Sequence, residues 1–232
     1  MAGEEESPQW LGTSNDMLPR EHKQHFQRVL TQQAIRSYLF LCLGIGLVAL
    51  ALPVALVAVG GYDGHYSISY FYHVGETTRN ILVGALWATG VFLLLYHGLS
   101  TLENWLLNIA GVAAISVAMN PMDAQQCSKG LSIHGVSAGL FFVCLAVVAV
   151  LLSKGRVKYV KDQAKRRWFK RAYTIAGGAM VAMPAIVWAL HQLGGGKCET
   201  HWIFWIECLG IWAFAAYWFV KTYEYRVLLG AR

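Results

Sequence analysis

Residues 38–59 read YLFLCLGIGLVALALPVALVAV, 22 residues without one charged side chain. About 20 mostly apolar residues in a helix cross the roughly 30 Å hydrocarbon core of a bilayer. This stretch therefore predicts a membrane-spanning helix. Five more segments of similar character follow it, at Asn80–His97, Asn104–Met119, Leu131–Leu152, Ala172–Leu193 and Trp202–Val220. The third is the shortest and is open to extension through Pro121. Composition agrees: 56% of the 232 residues are hydrophobic and 14% charged, against roughly 25% charged in soluble domains. Disorder and an ordinary soluble enzyme are both excluded by those figures. Nucleic-acid binding would explain a net charge of +6, but not beside this hydropathy. The expected fold is all-α, a polytopic six-helix bundle: tail 1–37, transmembrane domain 38–221, tail 222–232.

The tail before Tyr38 carries Glu4, Glu5 and Glu6 and then a mixed amphipathic stretch from Glu21 to Arg36. No short apolar region with a small-residue cleavage site precedes the first span, so that span is expected to be a retained anchor. Of the 19 Lys and Arg residues, 16 fall in the two tails and the 98–103 and 153–171 loops. The other side holds Arg79, Lys129 and Lys197. Basic loops stay cytoplasmic, so both termini are expected in the cytoplasm of a bacterial inner membrane. The run Lys154–Arg171 reads as a topology signal against anionic headgroups, or as a docking site for an acidic partner. Gly135 and Gly139, and Ala176 to Ala179, are expected to let helices approach closely. Pro53 and Pro184 mark possible kinks.

The polar residues gather on the outer side. His65, His73, His134, His191 and His201 lie there, with Asp123, Glu76, Glu199, Ser67 and Ser69. Glu207 lies six residues into the last span, roughly 9 Å below His201 in a regular helix. An ionisable group at that depth should face the bundle interior. Its roles would be metal ligand, general base or proton carrier, or else a structural partner of Arg79 or Asn80. Ser69 and His73 share a face if helical, where Ser69 would orient a water and His73 would supply a nitrogen. Alternatively, Tyr66, Tyr70, Phe71 and Tyr72 make this an aromatic interfacial loop. Asp123 would cap a turn after Pro121 or lean over the site mouth. The inner halves of the spans look almost wholly apolar, which argues against a transporter.

His73, His134 and His201 with a carboxylate make the set that an open zinc site requires, three ligands and a place for water. No HExxH or paired-Cys signature accompanies them, and no matched His pair suggests haem. Cys42, Cys144 and Cys208 fall within spans and read as small apolar packing residues. Cys127 and Cys198 fall in two outer loops, where a disulfide would hold Asp123 near His201.

The order SISYFYH (67–73), RNILVGALWATGVFLLLYHG (79–98), ENWLLNIAGVAAISVAMNP (103–121), IHGVSAGLFF (133–142) and FWIECLGIWAFAAYWFVK (204–221) resembles a group of uncharacterised bacterial six-span membrane proteins. More distantly, Ser69-xxx-His73 resembles the serine–histidine motif of the superfamily of alkaline ceramidases and adiponectin receptors. That likeness implies an intramembrane, zinc-dependent amide hydrolase of lipids, its metal held by this His and a later HxxxH pair. The chain departs in having six spans rather than seven and no HxxxH. His134 and His201 would have to replace that pair.

The leading expectation is a metal-assisted hydrolase of a lipid or lipid-like amide or ester at the outer leaflet. His73, His134 and His201 would hold zinc, Glu207 or Asp123 would act as base, and Ser69 would position the water or the oxyanion. The other expectations are a non-catalytic accessory subunit with protein partners in a membrane complex, and a transporter or sensor using Glu207.

Overall fold

The computed structural model describes residues 20–62, 67–122, 132–193 and 202–230. Helix α1 covers Arg20–Gly60, α2 Phe71–Val74, α3 Glu76–Leu95, α4 Thr101–Met119 and α5 Ile133–Val147. A π-helical turn, Val148–Leu152, carries α5 into α6, Ser153–Val157; α7 covers Gln163–Leu193 and α8 Trp202–Gly230. Six stretches are long and apolar enough to cross a membrane: His25–Gly60, Glu76–Leu95, Thr101–Met119, Ile133–Val157, Gln163–Leu190 and Trp202–Leu229. The described residues contain no strand, so this is an all-α, multi-pass membrane bundle.

The chain forms two units, Met1–Tyr38 and Leu39–Arg232. In the first, the part of the tail from Arg20 onward is helical, and Thr31 Oγ1 donates to Gln27 O at 2.7 Å. Helix α8 continues to Gly230, and Thr222 and Glu224 are buried. Helix α4 stops at Met119, short of Pro121, and α1 and α7 run unbroken through Pro53 and Pro184.

Neighbouring helices pair in chain order, α3 on α4, α4 on α5, α5 on α7 and α7 on α8. The tightest crossing is between Gly90 and Gly111. A Cβ on either would stand 2.8 Å from the other's carbonyl oxygen, so each glycine gives the facing backbone room. Gly177 does the same for α7, where a Cβ would meet Val150 Cγ2 at 2.5 Å. Gly139 and Gly178 face open space, and Gly135 meets only its own cap, Ser132. The expected contact through Gly135 and Gly139 is therefore not made. Close approach uses one glycine on each of two helices rather than a pair on one.

At the end of the bundle where α3, α6 and α8 finish and α4 begins lies a buried ionic network. Ser100 caps α4 by accepting from Glu103 N at 3.1 Å, as in the first half of a capping box. Gly98 leaves space for the Glu103 side chain, whose Cγ would lie 2.5 Å from a Cβ there. The Glu103 carboxylate then accepts from Lys221 Nζ at 2.8 Å and from Arg156 at 3.0 Å. Lys221 also donates to Tyr217 OH at 2.9 Å and lies 4.6 Å from the Tyr96 ring centre. Arg156 donates to Ser153 Oγ and Tyr225 OH, and Tyr173 OH donates to Glu224. The halves of the spans expected to face the cytoplasm are thus not wholly apolar, and Arg156, read as part of a headgroup run, is buried.

Removing one partner of a buried ion pair leaves the others uncompensated, at about 3–5 kcal/mol. Glu103→Ala, which strands two cations, should lower stability by about that much in a detergent unfolding assay. An unchanged melting curve would contradict the role given to Glu103.

Candidate functional site

Helix α1 ends with Gly61 at φ 74°, a left-handed turn that a side chain would disfavour. Gly60 is equally constrained, since a Cβ there would press to 2.9 Å of both Phe71 and Thr78. Beyond it, residues 67–74 make tight turns, with Tyr70 N donating to Ser67 O and His73 N to Tyr70 O, and lead into α2. Ile68 and Phe71 anchor the segment in a core formed with Leu52, Leu56, Leu82, Phe204 and Cys208. Burial of two such side chains stabilises the turn by roughly 1.5–3 kcal/mol each. Phe71 is fully buried, so it belongs to the core and not to an interfacial aromatic belt.

Glu207 holds the polar edge of this turn. Its Oε2 accepts from Ile68 N at 2.7 Å and from Ser67 Oγ at 2.9 Å, and Ser67 Oγ accepts from Ser69 N at 3.1 Å. The carboxylate is therefore a positioning group for the Ser67–Ser69 backbone. It does not meet Arg79, which donates from Nε to Tyr72 O at 3.4 Å and stacks over the Tyr72 ring.

The turn delivers Ser69 to His134. Ser69 Oγ and His134 Nε2 are 3.0 Å apart. His134 stands in the first turn of α5, whose cap is Ser132, and its Nδ1 lies 2.9 Å from Asn120 O. A carbonyl only accepts, so Nδ1 carries the proton and, in the neutral ring, Nε2 is the acceptor for the Ser69 hydroxyl. Asn120 is held in turn, its Nδ2 donating to Ser116 O at 2.8 Å, and Ser116 Oγ bonds Ser137 Oγ at 2.8 Å across α4 and α5. Four sequence-distant segments thus fix one hydroxyl against one imidazole. The sequence gives no local signal for Asn120, because it acts through its backbone.

Ser69 and His134 open into a narrow cleft walled by Leu82, Val83 and Leu86 of α3 and by Val117, Ala118 and Pro121 at the end of α4, with Tyr72 beside them. Its free volume of about 10 Å³ is near the least that holds one water.

His73 takes a separate partner, its Nε2 lying 2.6 Å from Met122 O, so that nitrogen also carries a proton. Asp123, His201, Cys127 and Cys198 lie outside the described residues, as do His65, Tyr66, Lys129, Lys197 and Glu199. Cys42, Cys144 and Cys208 are buried free thiols, as expected. Among the described residues no three His, Cys, Asp or Glu side chains gather to hold a metal ion. The Nε2 of His134 faces Ser69 and that of His73 faces a carbonyl, so the described donors do not fit the zinc that the distant resemblance implies. No family model, curated protein or solved structure matches the chain, so any functional reading rests on this geometry.

Glu207→Leu would leave Ser67 Oγ and Ile68 N–H without their acceptor, at about 1–3 kcal/mol for each orphaned donor. Glu207→Gln keeps a carbonyl oxygen in place. Amide exchange across residues 67–74 should therefore accelerate strongly in the first variant and little in the second. Equal protection in both would show that Glu207 does not hold the turn.

Proposed function

We propose that this chain is a membrane-embedded hydrolase of a lipid or lipid-like ester or amide, with Ser69 as nucleophile and His134 as its base. The observation that carries this reading is the 3.0 Å contact between Ser69 Oγ and His134 Nε2, with the tautomer set by Asn120 O. A nucleophile within reach of a base that a third group orients is the arrangement of covalent acyl transfer. Ser69 Oγ bonds to the acyl carbon while its proton passes to His134 Nε2. The bond to the leaving alcohol or amine then breaks, and that group takes the proton from His134. Water next attacks the acyl-serine, giving its proton to His134, and the carboxylic acid leaves as Ser69 regains its proton. The walls from α3 and α4 are apolar.

Sidedness belongs to the same proposal. Arg156 and Lys221 are buried in the ionic network, which leaves 14 Lys and Arg on their side against three on the side of Ser69. By the distribution of basic residues, Ser69 and His134 face the outside of a bacterial inner membrane and both termini face the cytoplasm. The resemblance of the sequence to uncharacterised bacterial six-span proteins is consistent with this placement.

A second reading has its own support. Ser67, Ser69, His73, His134 and Glu207 all have protein partners, and the free volume between them is water-sized. Those are the features of a polar latch in a non-catalytic membrane subunit.

One experiment separates the two. A membrane-impermeant fluorophosphonate applied to intact cells should label Ser69. Labelling should vanish in Ser69→Ala, fall by roughly 10² or more in His134→Ala, and persist with chelator. No labelling of folded protein, even after cell lysis, would favour the latch. Labelling only after lysis would reverse the sidedness.

A further inference from the structure

The opposite end of the bundle carries a second feature that the Ser69–His134 site does not use. Between the connection from α6 to α7 and the last turns of α8 lies a groove of about 350 Å³, lined by Tyr159, Val160, Lys161, Asp162, Lys165, Val227 and Leu228. That volume lies within the range of small-molecule sites. Its floor is apolar: Val160 is buried, and Val227 and Leu228 are half-buried. Its rim is cationic. Lys161 and Lys165 are exposed, and neither ammonium makes a hydrogen bond or ion pair among the described residues.

The other charges nearby are already engaged. Asp162 accepts from Ala164 N at 2.8 Å and Lys165 N at 3.2 Å, and those two N–H groups hold its carboxyl below the usual carboxylate range. Arg166 donates to Val160 O and Lys158 O, which fixes the connection itself. Lys158 lies 5.1 Å from the Tyr159 ring centre. Glu224, the nearest acid on α8, is buried against Tyr173. Two ammonium groups without a hydrogen bond or salt bridge among the described residues, one of them acting on the Asp162 carboxylate through its charge, thus stand over an apolar floor at a helix-bundle end, beside an aromatic ring of the kind that sits at headgroup level.

We propose that this groove binds one anionic phospholipid, its phosphate between Lys161 and Lys165 and its glycerol and upper acyl carbons on Val160, Val227 and Leu228. The occupant is argued from charge complementarity and from position. Basic pockets at the ends of membrane helices select anionic headgroups, and a free anion would leave the apolar floor uncovered. Such a lipid would join the α6–α7 connection to the end of α8 from outside. The proposal does not depend on the reading of Ser69.

The test is native mass spectrometry of the full chain in detergent, titrated with phosphatidylglycerol and, separately, with phosphatidylcholine. One phosphatidylglycerol should be retained well above the other adducts. Lys161→Gln with Lys165→Gln should weaken that retention roughly tenfold or more, and Leu228→Trp, which fills the floor without altering charge, should weaken it too. Lys170→Gln with Arg171→Gln removes equal charge from exposed positions off the groove and should leave retention unchanged. Equal loss in both double variants would reduce the effect to diffuse electrostatics and overturn the site. So would equal retention of phosphatidylcholine, or wild-type retention in the groove variants.

Discussion

A carboxyl group inside a lipid-facing bundle must find donors, and Glu207 finds them in Ile68 N and Ser67 Oγ. That requirement shapes the whole Ser69 end of the bundle. The segment from Ser67 to Val74 is short, irregular and rich in backbone groups that hydrocarbon would not tolerate unpaired. Glu207 supplies an acceptor where the turn exposes donors, while Ile68 and Phe71 fill the apolar space between α1, α3 and α8. With polar and apolar edges both fixed, Ser69 has one direction left, and His134 stands in it.

The two ends of the bundle solve the same problem differently. At one end, Glu103 joins Arg156 and Lys221 into a charged network that also draws in Tyr96, Tyr217 and Tyr225. Ion pairs of this kind are weak evidence of net stability, but each member makes the others obligatory. The network ties α4, α6 and α8 together. It contains no exposed acid, base or nucleophile: Glu103, Arg156, Lys221 and Glu224 are all buried. The other end has one half-buried hydroxyl against one half-buried imidazole, bordering a cleft. That contrast is why chemistry is assigned to one end and structure to the other.

The six spans were legible because they depend on hydropathy and length. Ser69, His134 and Glu207 stood out for a similar reason, as polar residues where apolar ones are cheaper. Their pairing was not legible. Asn120 contributes a backbone carbonyl, and the Ser69–His134 contact joins positions 65 apart. The ionic network was hidden because Glu103 and Arg156 lie near helix ends, where charged residues read as headgroup or loop positions, and because α8 runs on to Gly230, well past Lys221, which read as the first residue beyond the last span. Gly90 and Gly111 were missed because neither has a second glycine four residues away on its own helix, and only the crossing of α3 and α4 makes them a pair.

The claim on which the account turns is that His134 is a neutral base whose Nε2 accepts from Ser69. Nitrogen-15 magnetic resonance of histidine-labelled protein in bilayers at neutral pH reads this directly, with His134→Gln to assign the signal. The account predicts a protonated Nδ1 and an unprotonated, hydrogen-bonded Nε2 whose resonance shifts in Ser69→Ala. A proton on Nε2, or a His134 signal indifferent to the loss of the Ser69 hydroxyl, would contradict it.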